Sequence, residues 1–472
     1  MIISFSENPE ATIREQQSKL LANSNLDHAF AIHFNFLQYY LAEPKEIELL
    51  ALVYLTKNNS DIHISAAIFS FNEPLKHTVE SLSNNFSELQ LFAQQQQVPW
   101  LNLSAPLTLE PVKISKPWGQ EIWYTGIEAR GQSNVIAQGF TTPLPWVLAL
   151  MPEYLAAGLD KKIILLKTLD PLLDEVRGDL YFELHETKQE VYIVTHVDER
   201  AWKNNIGAIR LGFSDVIRAQ YDGDEQFKAA YLNAVKTYEK IRRAIDGLAD
   251  GSTDGLTNGT ADGTTNSTTV NQCPPELVKQ EQQAREYMNN FSAVHPLQVG
   301  DVVKVPCYVP HALQHGVRTL EFQTPVYERK ILSFAQKVLT QSHWDTEEAL
   351  VKALCNTPEQ KAHSVLFATE NESIKVEEIV SFDDFRVVRI SLTAYTTYSL
   401  PAQNSYGLIM PIANSCKVLS ATLELNIPAE TAMFIPHTLM SNTHESLWLS
   451  AGDAAVQILI ATVINHWDFL TN

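Results

Sequence analysis

Cysteine is scarce: four in 472 residues, at 273, 307, 355 and 416, with no CxxC pair among them. That spacing excludes a disulfide scaffold and a zinc ribbon, and it points to a reducing compartment such as the cytoplasm. Cys307 reads as a small buried hydrophobe. The opening MIISFSENPEATIREQQ has no basic stretch leading into an apolar one, and no apolar run approaches the ~18 residues of a membrane span, so neither export nor membrane insertion is expected. Basic residues are outnumbered, 35 Lys+Arg against 55 Asp+Glu, and the formal net charge of −20 excludes a nucleic-acid surface. An anionic ligand would need local Lys and Arg to overcome that field.

The apolar fraction of 45% is that of an ordinary globular protein, and the length suits about three domains at ~100–200 residues each. Residues 1–105 form a mixed α+β region of unknown role. There REQQSKLLANSNLDHAFAIHFNFLQYYL is expected as helix, and IELLALVYL and DIHISAAIFSF as strands. Its His28, His33, His63 and His77 are expected to be structural or exposed. A second unit spans 106–198 and resumes at 294–340, with strands KIILLKTL, DLYFELHE, EVYIVTHV, DVVKVP and GVRTLEFQ. Between its halves, 199–293 reads as a helical insertion. Phe227, Tyr231, Ala234, Tyr238, Ile241 and Ile245 make one helix face, and Leu277, Ala284, Tyr287, Met288 and Phe291 another behind Pro274 and Pro275. The Gly/Thr/Asn/Asp-rich 249–272 is expected as a disordered loop. Residues 341–472 follow as a linker and a domain of short strands at turn-bounded intervals.

Chemistry concentrates in two places. In DLYFELHETKQEVYIV, period-two alternation puts Glu183 and His185 on one strand face, with Glu190 on a second strand after the turn TKQ. Far downstream, GDVVKVPCYVPHALQHG supplies His311. A carboxylate and imidazole at i, i+2, a carboxylate from the paired strand and a distant imidazole can seat a divalent cation. This is cupin spacing, with Glu183 where many cupins carry His. TAMFIPHTL faintly echoes the His311 segment, but no ligand motif precedes His437. The C-terminal domain is therefore expected to be a second, metal-free cupin with His437 structural.

In order along the chain, Lys116-Pro117-Trp118-Gly119-Gln120-Glu121-Ile122-Trp123, the strand ending in Lys167, Glu183-x-His185, Lys188-x-Glu190-x-Tyr192, Pro306 to Ala312, Glu321-Phe322-Gln323 and Arg329 resemble the motifs of type I phosphomannose isomerases (mannose-6-phosphate isomerases). The resemblance covers about 116–329, more weakly the C-terminal domain, and leaves 1–105 outside. It implies a mainly β fold with helices: a bicupin of two jelly-roll β-barrels, a helical insertion and the extra N-terminal region. It also implies interconversion of mannose 6-phosphate and fructose 6-phosphate.

The family's zinc ligands map onto Glu183 (at a Gln position), His185, Glu190 and His311. Two carboxylates and two imidazoles suit Zn²⁺ first and also Mn²⁺ or Fe²⁺. Glu321 is the expected general base, Arg329 an oxyanion or phosphate stabiliser, Lys188 a proton-handling or charge-balancing group, and Lys167 the phosphate cation, with Trp118 in the substrate pocket. His196 and His315 match nothing in the family and are expected around the site or at the surface. Two alternatives share the scaffold: an iron-dependent oxygenase, and a non-catalytic or divergent cupin that binds a sugar phosphate.

Overall fold

The computed structural model describes residues 1–23, 25–58, 61–250, 273–334, 344–360, 362–444 and 446–464. Most of the expected disordered loop, 251–272, lies outside the described residues. The architecture is mainly β with helices, and among the described residues no helix is long and apolar enough to cross a membrane.

The N-terminal region is a five-stranded sheet in the order Ile3–Phe5, Asp27–Gln38, Lys45–Asn58, Asp61–Ser70, Leu101–Asn102. The expected helix over 14–41 is only half right. Helix Pro9–Ala22 stops at Asn23, and Asp27–Gln38 is a strand paired along its length with Lys45–Asn58. The reason is two-sided burial. Phe30, Ile32, Phe34 and Phe36 point into one apolar cluster, whereas Ala29 and Ala31 point into another under helices Glu73–Ser81 and Phe86–Gln95. A helix cannot serve two opposite layers with alternate residues. The Glu10 carboxylate fastens this region to the rest of the chain, accepting from the backbone N–H groups of Glu153 (2.7 Å) and Tyr154 (3.1 Å) at the start of helix Pro152–Ala156.

Two sheets face each other in the middle of the chain. A six-stranded sheet runs Val302–Val305, Glu190–Val197, Val317–Gln323, Leu165–Pro171, Gly119–Trp123, Val112–Lys116. A five-stranded sheet runs Ser292–Leu297, Gly207–Phe213, His311–Leu313, Phe182–Leu184, Lys330–Ser333. The expected hairpin between DLYFELHE and EVYIVTHV is therefore not made, because the chain crosses from one sheet to the other between 184 and 190. Glu190–Val197 buries both faces, with Val191 and Ile193 in one cluster and Tyr192 and Val194 in another. It thus takes a central place in the six-stranded sheet.

Helices Asp224–Asp250 and Pro275–Asn289 leave the five-stranded sheet and return to it, and Phe227, Tyr231, Ala234, Tyr238, Met288 and Phe291 pack against its outer face. Tyr287, expected on that apolar face, is 55% exposed and meets Phe291 edge-on. The segment 199–293 also carries strand Gly207–Phe213, so it is not wholly helical.

The C-terminal strands form a nine-stranded sheet facing a four-stranded one across an apolar core. Strands Leu107–Glu110, Asn134–Ala137 and Phe140–Pro143 join this nine-stranded sheet, the first through Met433–Ile435. None of the sheets among the described residues closes on itself, so the expected jelly-roll barrels are met only at the coarser level of facing sheets.

Candidate metal centre and the buried charges beside it

Glu183 stands directly opposite His311 on neighbouring strands of the five-stranded sheet, and His185 follows on the same face. One ligand atom from each of Glu183, His185 and His311 lies within 4.8 Å of the others. Glu190 approaches from the facing sheet, its Oε1 3.3 Å from His185 Nε2 and its Oε2 3.1 Å from His311 Nε2. The four residues expected as ligands from sequence are thus brought together, two imidazoles and two carboxylates.

The donor set fits a divalent cation on its own chemistry. His311 Nδ1 lies 3.1 Å from the Val309 carbonyl, which assigns the proton to Nδ1 and leaves the Nε2 lone pair directed at the cluster. His185 Nδ1 and Glu183 Oε2 are buried without a hydrogen-bond partner among the described residues. Such orphans are what an absent ligand-bound ion leaves behind. Burial, before the surrounding charges, holds the His185 imidazole below its usual pKa and so in the neutral form that ligates. Burial works against an ionised Glu190, but Lys188 Nζ at 2.7 Å is the foremost influence the other way, and the carboxyl is held well below the usual range. The Tyr192 hydroxyl donates to Glu190 Oε2 at 2.7 Å.

Beside the cluster runs a row of buried charges on one face of the six-stranded sheet. Tyr192 pairs with Glu321, Glu321 with Lys167, and Lys167 with Trp123, so register aligns them. Lys116 Nζ lies 3.2 Å from Glu121 Oε1, and Lys167 Nζ 3.3 Å from Glu321 Oε2. The Trp123 indole N–H donates to Glu121 Oε2 at 2.7 Å. Burial opposes the charge on Glu121, yet Lys167 and Lys116 bring it down to about 2. Burial likewise opposes the charge on Lys167, and Glu121 and Glu321 more than restore it. Glu321 goes the other way, pushed well above the usual carboxylate range by burial and then by Glu190. Of the two carboxylate neighbours of Lys167, Glu121 acts the more strongly on it.

The remaining expected residues are spread around this centre. Arg329 Nη1 is 3.9 Å from Glu183 Oε2, with its guanidinium 5.2 Å from the Tyr181 ring, partly open to solvent. Trp118 is 3% exposed and packs with Leu169, Tyr192 and Val303 in the apolar floor. Cys307 is half-buried rather than buried, its thiol directed at the Lys188 carbonyl 3.7 Å away. His315 pairs with Asp179 at 2.8 Å and stacks on Trp202, and His196 is exposed. His437 opens a short helix, and the four N-terminal histidines lie in or beside the N-terminal sheet. Sequence reasoning quoted Glu121 without a role, although its i, i+2 relation to Trp123 already puts both on one strand face.

The fold is similar to that of solved mannose 6-phosphate isomerases. The Bacillus subtilis mannose 6-phosphate isomerase superposes with a TM-score of 0.51 at 14% identity, covering 76% of this chain and 99% of that one. A zinc-bound mannose 6-phosphate isomerase gives 0.52 at 12%, covering 75% and 99%. A variant of the Salmonella typhimurium phosphomannose isomerase gives 0.53 at 12%, covering 76% and 99%. At such identities the likeness shows the fold alone. No family model matches the chain, and no curated protein matches its sequence.

Proposed function

We propose that this chain is a divalent-metal-dependent aldose–ketose isomerase of a sugar phosphate, interconverting mannose 6-phosphate and fructose 6-phosphate. The observation that carries the reading is the pairing of the Glu183, His185, His311 and Glu190 cluster with Glu321, a buried carboxyl held above its usual range. Isomerisation moves a proton between adjacent carbons through an enediol. It needs a base whose pKa sits near the working pH and positive charge where the oxygens become anionic.

Glu321 takes the proton from C2 of the open-chain aldose and returns it to C1. Lys167, 3.3 Å away, holds that carboxyl in place and steadies it when ionised. Lys167 is enclosed by Glu121 and Glu321, so we assign it this role rather than that of the phosphate cation. Lys188 keeps Glu190 ionised, and Arg329 at the open side faces the developing oxyanion. When bound, a divalent ion supplies electrophilic polarisation of the substrate oxygens. Zn²⁺ is the first candidate, supported by the zinc-bound neighbour, with Mn²⁺ or Fe²⁺ compatible with the two carboxylates.

The same reading includes a bicupin organisation: an N-terminal region 1–105, a catalytic cupin of 106–198 with 294–340, an insertion 199–293, and a linker with a metal-free cupin at 341–472. It also places the protein, with its four free cysteines, in the cytoplasm, acting on a small molecule rather than on nucleic acid or membrane.

The test is metal analysis by plasma mass spectrometry on wild type and His311→Ala, with a coupled mannose 6-phosphate isomerase assay. Near-stoichiometric metal and turnover in wild type, both lost in the variant, are expected. Iron with oxygen consumption would replace the reading with an oxygenase. Sugar-phosphate binding without turnover would leave a binding protein.

A further inference from the structure

Strand Asp27–Gln38 of the N-terminal region runs out into Tyr39 and Tyr40, and these rings meet Lys161, Leu165, Gln323 and Tyr327 around a cavity of about 300 Å³. Leu165 and Gln323 pair across neighbouring strands, each two residues from Lys167 and Glu321 respectively. Residues two apart on a strand share a face, so the cavity and the buried charges lie on one face of the six-stranded sheet. Gln323 also stands opposite Glu190 in register, so one wall residue of the cavity neighbours a metal-cluster residue across the strand pair.

The polar groups around this cavity have capacity to spare. Gln323 is 3% exposed, and its Oε1 has no hydrogen-bond partner among the described residues. Only its Nε2 is used, toward the Thr324 carbonyl at 3.3 Å. A buried amide oxygen left unpaired is expensive, and a ligand hydroxyl would satisfy it. The Tyr40 hydroxyl oxygen accepts from Gln38 Nε2 at 3.1 Å, which leaves its own hydrogen to donate elsewhere. Burial, then the Asp160 charge, keeps the Tyr39 phenol protonated. Lys161 is exposed, lies 5.6 Å from the Tyr39 ring and makes no salt bridge among the described residues. Of the acids, Glu128 is engaged by Arg130 at 3.1 Å, and Asp160, whose carboxyl burial raises, interacts with Lys161.

We propose that this cavity receives the end of the sugar phosphate remote from the reacting carbons. Lys161 Nζ is the cation for the phosphoryl group, the Tyr40 hydroxyl donates to it, and Gln323 Oε1 accepts from a sugar hydroxyl. The inference rests on the isomerase reading above, and it makes the N-terminal region part of the substrate site. In a chain carrying a formal charge of −20, a local cation at the entrance is what an anionic substrate requires.

The test uses full-length, metal-loaded wild type, Lys161→Ala, Tyr40→Phe and the neighbouring control Lys162→Ala, each checked for equal metal content. Turnover and calorimetric binding of mannose 6-phosphate are measured on all four. Lys161→Ala is expected to raise KM and weaken binding about tenfold, near the lower bound for one charge-assisted hydrogen bond, with kcat within about twofold. Tyr40→Phe is expected to weaken binding about threefold, and Lys162→Ala to match wild type. Turnover with KM unmoved in Lys161→Ala would overturn the cavity assignment and leave the isomerase reading standing. Binding that depends on Lys161 without turnover in wild type would do the reverse. Neither turnover nor binding in wild type would overturn both.

Discussion

Replacing Lys167 with methionine removes the one cation shared by two buried carboxyls, Glu121 and Glu321. Withdrawing the partner of a buried charge typically destabilises by about 3–5 kcal/mol, and because Glu121 keeps Lys116 at 3.2 Å and the Trp123 N–H, the lower end applies here. Glu121 bears most of this. Its pKa, about 2 in the folded protein against 4.5 as the reference, corresponds to stabilisation on the order of 3 kcal/mol, with Lys167 the foremost charge that lowers it. The folded pKa is depressed, so this contribution is fully present above about pH 4.5 and is lost as pH falls through about 2.

Urea unfolding of chelator-treated protein isolates the effect from the mass-action stabilisation that a bound ion would add. At pH 7 the Lys167→Met midpoint should fall by the urea equivalent of roughly 3 kcal/mol. The gap to wild type should narrow as the pH is lowered from about 4.5 toward 2. Adding Glu121→Gln to Lys167→Met should recover more than about 1 kcal/mol, since contacting groups do not add independently. Lys167→Met within about 0.5 kcal/mol of wild type, or strict additivity with Glu121→Gln, would refute the argument that these charges depend on one another.

Glu321→Gln should keep its metal, measured by plasma mass spectrometry, and lose about 10²–10⁴-fold in kcat, the range for a positioned general base; retention of turnover would remove Glu321 from that role. Gly119 has φ +146°, and a Cβ there would lie 2.3 Å from the Asp170 carbonyl oxygen. Gly119→Ala should therefore lower the urea midpoint by the equivalent of about 1–3 kcal/mol, whereas Gly139→Ala, at φ +79° with nothing within 4 Å, should lose less. Equal losses would mean that the backbone angle, not the carbonyl contact, decides both.

The ligand residues were legible because metal binding restricts residue type and spacing together: Glu183, His185, Glu190 and His311 stand out in any reading of the chain. Which sheet each belongs to was not. Alternation in DLYFELHE and EVYIVTHV tells which residues share a face and says nothing of which strand lies alongside. A short polar turn between them suits a hairpin and a crossover equally well. The same limit hid the row from Lys116 to Glu321, whose members meet only through register across three strand pairs. At 14–41 the polar first half suits a helix and the second half alternates. Reading the two as one element overlooked the stop at Asn23 and the two-layer burial of Phe30 to Phe36. The cavity beneath Tyr39 and Tyr40 had no signal in sequence at all, since its walls come from four segments scattered between residues 39 and 327.

The pairing of Leu107–Glu110 with Met433–Ile435 sets a timetable for synthesis. More than three hundred residues separate the partners, so at ~5–20 residues per second the first strand leaves the ribosome some tens of seconds before the second exists. During that interval Leu107 and Leu109, wholly interior in the finished protein, border a sheet that lacks its neighbour. A growing chain in this state presents an open strand edge, the kind of surface that chaperones hold and that aggregation exploits.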